Sequence, residues 1–123
     1  MRRFVLIGLV LLAAGCGARS TDHWLGQLKD SDVVKRRQAI RELGARTGDA
    51  PRIAPALVKA LGDENAYIRR DSAVALGKLG PEAKQAVPAL LDALRDKDRR
   101  VGTAALAALK KIDPESAAKA GGR

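Results

Sequence analysis

At 123 residues the chain has room for one domain at most, and with Phe4, Trp24 and Tyr67 as its only aromatics the core must be built from Leu, Ile, Val and Ala. A single cysteine excludes an internal disulfide and a multi-cysteine zinc site. The formal charge of +9 points to acidic partners or surfaces, and the lack of alternating apolar and polar runs argues against sheet.

The chain opens with MRRFVLIGLVLLAAGC. Arg2 and Arg3 precede an apolar stretch, Phe4 to Leu12, and small residues close it, which is the layout of a secretory signal. The run is too short for a membrane-spanning helix, which needs about 20 residues. Two other readings stand beside it: an ordinary secretory signal with an incidental cysteine, and a buried first helix, which would need a larger core to hide in. Ala13-Ala14-Gly15-Cys16 resembles the lipobox of bacterial lipoproteins, with Ala13 where Leu is usual. That resemblance implies a signal peptide over 1–15, cleavage before Cys16, lipidation of its thiol, and a flexible tether over 16–21. It also implies export and a lipid anchor in a bacterial membrane. Losing Arg2 and Arg3 from 23 basic residues against 14 acidic ones leaves a side-chain charge of +7.

From residue 24 onward the sequence repeats with a step of 33. Leu28-Lys29-Asp30 returns as Leu61-Gly62-Asp63 and Leu94-Arg95-Asp96, and Leu43 returns as Leu76 and Leu109. Six helices are predicted in chain order, at about 22–29, 33–45, 51–61, 66–79, 83–94 and 99–112. In the first, Trp24 is expected to plug the open end of the stack. Asp32, Asn65 and Asp98 precede the second, fourth and sixth and suit N-caps. Gly44, Gly77 and Gly80 lie near helix ends, where a left-handed residue is wanted. Lys35 stands where the next period has Ile68, so the apolar contact of that turn is expected to shift to Val34. Pro55 and Pro88 must sit in a first turn or bend their helices. Gly102 costs its helix about 1 kcal/mol relative to Ala, which should make the last helix the weakest. Pro114 and the small polar residues after it predict a frayed tail over 113–123.

The stretch LGDENAYIRRDSAVALGKLGPEAKQAVPALLDALRDKD resembles the HEAT-like repeat family, in the variety found in phycobilisome lyases. The resemblance spans about 24–112 and places the repeat domain at 22–112. It implies an all-α fold, an α–α superhelix in which each helix pair shields the next. It also implies that Asp30, Asp63, Asp96, Arg36 and Arg69 pair along the stack as structural ties.

No catalytic constellation is visible. His23 is the lone histidine, no serine sits on a nucleophile elbow, and no phosphate loop is present, so no enzyme activity, cofactor or metal is expected. What remains is a surface. In HEAT-like solenoids the second helix of each pair lines a concave, partner-receiving face. Its outward positions here are His23, Gln27, Arg52, Ala56, Lys59, Lys84, Gln85, Ala89 and Asp92. The resulting expectation is a monomeric, membrane-tethered adaptor that holds a protein or peptide partner at the cell envelope. The rivals are an accessory protein related to chromophore lyases and a basic binder of nucleic acid or anionic envelope polymers. Export and the lack of aromatics to stack bases argue against nucleic acid.

Overall fold

The structure is a computed structural model that describes residues 18–121. The signal peptide read over 1–15 and the cysteine read as its lipidation site, Cys16, lie outside the described residues. Seven α-helices run through the described part: α1 Thr21–Gln27, α2 Val33–Gly44, α3 Ala50–Ala60, α4 Ala66–Leu79, α5 Val87–Ala93, α6 Arg99–Ile112 and α7 Pro114–Gly121. The described residues contain no strand, and the fold is the expected all-α stack.

Two layers build the molecule. Helices α2, α4 and α6 pack side by side in the first. The second holds α1, α3, a 3₁₀ segment (Gly80–Ala86) leading into α5, and α7. Between them lies a continuous aliphatic seam that includes Ile40, Leu43, Ile53, Leu57, Ile68, Leu76, Leu90, Val101 and Leu109, each essentially inaccessible to water. Burying such a side chain contributes roughly 1.5–3 kcal/mol, so the seam outweighs every polar contact described below.

The turns before the first-layer helices are built alike. Asp32, Asn65 and Asp98 accept from the backbone N–H of Val34, Tyr67 and Arg100 at 2.8–2.9 Å. Two residues earlier, Asp30, Asp63 and Asp96 accept from the N–H of Asp32, Asn65 and Asp98. Each start therefore has two of its free donors satisfied by carboxyl or amide oxygens.

Several expectations need correction. Pro114 begins a helix instead of ending the fold. It occupies the first position of α7, where its missing N–H is no loss, and Asp113 caps the turn by accepting from the N–H and hydroxyl of Ser116. Ala117 is buried and α7 packs on α6, so 113–123 is not a frayed tail over its described length but the partner helix of a third pair. Residues 19–21, read as part of a tether over 16–21, are instead engaged with the stack. Thr21 is buried in α1, Ser20 caps that helix, and Arg46 donates to the Arg19 carbonyl. Val34 does not take over the contact of Ile68, being 70% exposed; Val33 packs on the core and Lys35 reaches Asp30 at 3.7 Å.

Gly80 alone among the described glycines has a positive φ, at 71°. Gly44 and Gly77 lie inside their helices and serve close packing. A Cβ on Gly44 would stand 3.0 Å from Ala75 Cβ, and one on Gly77 3.0 Å from Ala108 Cα. Gly102 works the same way, since a Cβ there would stand 3.1 Å from the Leu94 carbonyl oxygen. Its helix α6 buries Val101, Ala105, Ala108, Leu109 and Ile112 and is covered by α7.

The two doubtful prolines resolve differently. Pro88 sits in the first turn of α5, and the backbone ahead of it tightens into the 3₁₀ segment, so the single helix predicted over 83–94 is split. Pro55 lies inside α3. It cannot donate to the carbonyl of Pro51, and the Gln85 side-chain amide of the next repeat donates to that oxygen instead, at 3.2 Å.

Candidate functional site

The second layer is where the nine predicted partner-binding residues fall, and the structure divides them. His23 lies edge-on to Trp24, with ring centroids 4.8 Å apart. Trp24 itself is buried at the end of the stack, beneath the guanidinium of Arg19. Gln27 donates its side-chain amide to the Lys35 carbonyl, Arg52 pairs with Asp22, and Gln85 serves Pro51. Ala89 packs against the core, and Lys84 is exposed. Three of the nine line open grooves: Ala56 and Lys59 in one, Asp92 in another.

The first groove is the larger, at about 630 Å³. The short α1 packs on α2, and its N-terminal end is tied across the groove: the Thr21 hydroxyl donates to Asp49, just before α3, and Asp22 pairs with Arg52 of α3. The floor is apolar, formed by Leu25 of α1, Leu28 just after it, Ala56 and Ala60 of α3, and Ile68 of α4. Lys29, Lys59 and Glu64 stand on its rim. The second groove, about 490 Å³, lies between the C-terminal part of α5 and α7 and includes Leu91, Asp92, Leu94 and Lys119. Leu25, Leu28 and Ala60 were missed as site residues. Their three- and four-residue spacing marks an apolar face, but spacing alone does not tell a face covered by a neighbour from one left half open.

At one wall of the larger groove runs the ladder of charged residues. Arg36 donates to the carbonyls of Asp30 and Ser31 and its Nε lies 3.5 Å from Asp63. One repeat on, Arg69 donates to the carbonyls of Asp63 and Glu64 at 2.7 and 3.0 Å, and holds Asp96 through Nε at 2.8 Å and Nη2 at 3.1 Å. Hydrogen bonds from Arg69, against the opposing effect of burial, hold the Asp96 carboxyl below the usual carboxylate range. The ladder stops there because Gly102 stands where the next arginine would be. Each of these guanidiniums is bound within its own turn and to the following repeat, an arrangement suited to fixing the stack and not to proton transfer.

The first layer turns its other side outward. There Tyr67 is faced by Arg37, Arg70 and Arg100, whose guanidinium carbons lie 5.3, 5.4 and 4.7 Å from the ring centre. Asp71 joins two of them, accepting from Arg37 and from Arg70 at 2.8 Å each. Hydrogen bonding and charge from Arg100, with Arg70 and Arg37 adding to it, lower the Tyr67 phenol below its ordinary range.

Among the described residues no three His, Cys, Asp or Glu side chains gather to hold a metal ion. No helix among them is long and apolar enough to cross a membrane. A family model described as HEAT repeats matches residues 21–110. No curated protein matches the chain.

Proposed function

The chain belongs to the HEAT repeat family, a class of helical scaffolds that commonly mediate protein–protein contacts, and we propose that it is an adaptor tethered to a membrane through Cys16, holding one short helix of a partner protein in the α1–α3 groove. The observation that carries this reading is the groove itself. It pairs a half-open apolar floor of Leu25, Leu28, Ala56 and Ala60 with a rim of both charge signs. An amphipathic helix docks in such a trough by laying its apolar stripe on the floor. The anchor rests on the N-terminal sequence alone: two or three acyl chains hold a protein durably, whereas one gives only marginal binding.

A photo-crosslinking side chain placed at Lys59 tests the groove in cells. It should yield one discrete adduct, and that adduct should vanish when Ala56→Arg fills the floor while helicity stays unchanged. An adduct pattern indifferent to Ala56→Arg removes the groove from the reading. Cys16→Ser tests the anchor separately, by moving the protein from the membrane to the soluble fraction without changing the adduct's dependence on Ala56.

A further inference from the structure

The outer side of the first layer carries a feature that the groove does not use. Along α4 after its first residue, Ala66, the residues that escape burial are Tyr67, Arg70, Asp71, Val74 and Lys78, one stripe in which Tyr67, Arg70, Val74 and Lys78 recur at three- and four-residue steps. The 33-residue step places Val34, Arg37 and Arg41 beside this stripe on α2, and Arg100 and Lys111 beside it on α6. Val34, Tyr67 and Val74 are the exposed large hydrophobic residues among the described ones, at 70%, 44% and 43%, and all three are on this side. Six cations accompany them against Asp71, Glu42 and Asp98, the last paired with Arg100 at 2.8 Å. Arg41, Lys78 and Lys111 make no ion pair among the described residues.

We propose that this outer face of α2, α4 and α6 docks on the anionic surface of a lipid bilayer. The reading goes beyond the groove and does not depend on the anchor.

The shape of the charge favours a sheet of anions over a line of them. Packed helices stand about 8–10 Å apart and successive turns about 5.4 Å apart, so the cations spread in two dimensions over three helices. An acidic polypeptide or a nucleic-acid strand offers its charge along one dimension and could meet only one row at a time. The cleft between α2 and α4 on this side is about 200 Å³, too small to seat a partner helix. Arginine and lysine stems lie along apolar surface and carry their charge outward, while valine and tyrosine suit the boundary between head groups and acyl chains. Stacking of nucleic-acid bases is disfavoured as well, because guanidiniums already occupy the surroundings of the Tyr67 ring.

Vesicle co-sedimentation of the full chain tests the proposal, using phosphatidylcholine vesicles with and without phosphatidylglycerol. Binding should be tighter to the anionic vesicles, and the gap should close as salt is raised. Neutralising one surface cation should weaken anionic binding about fivefold, so the triple variant Arg41→Gln/Lys78→Gln/Lys111→Gln should lose on the order of 100-fold, with binding to phosphatidylcholine alone unchanged. That last arm isolates any contribution of the apolar N-terminal stretch. The variant Lys29→Gln/Lys59→Gln/Lys84→Gln carries the same net charge on the other layer and should bind like the parent. Arg41→Gln alone, with its fivefold loss, keeps the test open if the outer triple variant folds poorly. Equal binding to the two vesicle types overturns the proposal, as does an equal loss in both triple variants. Tighter binding to polyglutamate than to anionic vesicles also overturns it and assigns the face to an acidic polypeptide.

Discussion

Arg69 shows how much one side chain can hold in this fold. It is 7% exposed, spans from the turn before its own helix to the turn before the next, and satisfies two carbonyls and a carboxylate. Removing one member of a buried pair leaves the other charge uncompensated, which costs roughly 3–5 kcal/mol. Arg69→Ala should therefore lower the unfolding free energy by about 3 kcal/mol in urea titrations. Arg36→Ala should cost less than half of that, because Arg36 meets Asp63 only at 3.5 Å and both groups are wetter. Acid should reveal the same tie. The Asp96 carboxyl titrates lower in the folded chain than in the unfolded one, so protonating it favours unfolding. The tie's contribution is intact above the ordinary carboxylate value of about 3.9 and is lost as pH falls through the folded-state value. In Arg69→Ala the stability difference from the parent should therefore shrink below about pH 4 and be largest above it.

Among the elements, close approach of the first-layer helices sets the geometry. Gly77 against Ala108 and Gly44 against Ala75 let backbones meet where any larger residue would push them apart. Gly77→Val adds three carbons at a contact already at its limit, and overpacking of this kind costs about 1–3 kcal/mol. The expected result is a lower denaturation midpoint with helicity retained, and a larger loss than Gly26→Val, where a Cβ meets nothing within 4 Å. In the second layer the prolines make the helices depend on their neighbours. Pro55 leaves the Pro51 carbonyl without its helical donor, and Gln85 supplies one from the following repeat. Gln85→Ala should cost about 1 kcal/mol, read as a lower midpoint, whereas Lys84→Ala beside it should be nearly neutral.

At the scale of the whole molecule, stability is a chain of neighbour contacts, so damage at one end should stay near that end. A stop after Asp113 removes α7 and uncovers the flank of α6 that packs on it. Hydrogen exchange should then show faster amide exchange in α6, while α2 and α3 keep their protection. Loss of protection across the entire stack would mean instead that the repeats fold as one inseparable unit.

The repeat step, the all-α architecture, the caps at Asp32, Asn65 and Asp98 and five of the helix spans were legible in the amino-acid order, because each depends on residues within a turn or two of one another. Even α7 left a trace, since Pro81-Glu82 recurs 33 residues on as Pro114-Glu115. What that proline does depends on whether a bare helix waits nearby to be covered, and this is a fact about α6, not about Pro114. The same holds for the surface. Periodicity places Gln27, Arg52 and Gln85 outward, but only packing reveals that each is engaged by a partner from another element. It likewise leaves Leu25 and Leu28 half open and collects Val34, Tyr67 and Val74 on one side. Local order determines where a helix begins and which stripe is apolar; the packing of neighbouring repeats decides which stripes are closed, because burial is a property of two surfaces and the chain spells out only one at a time.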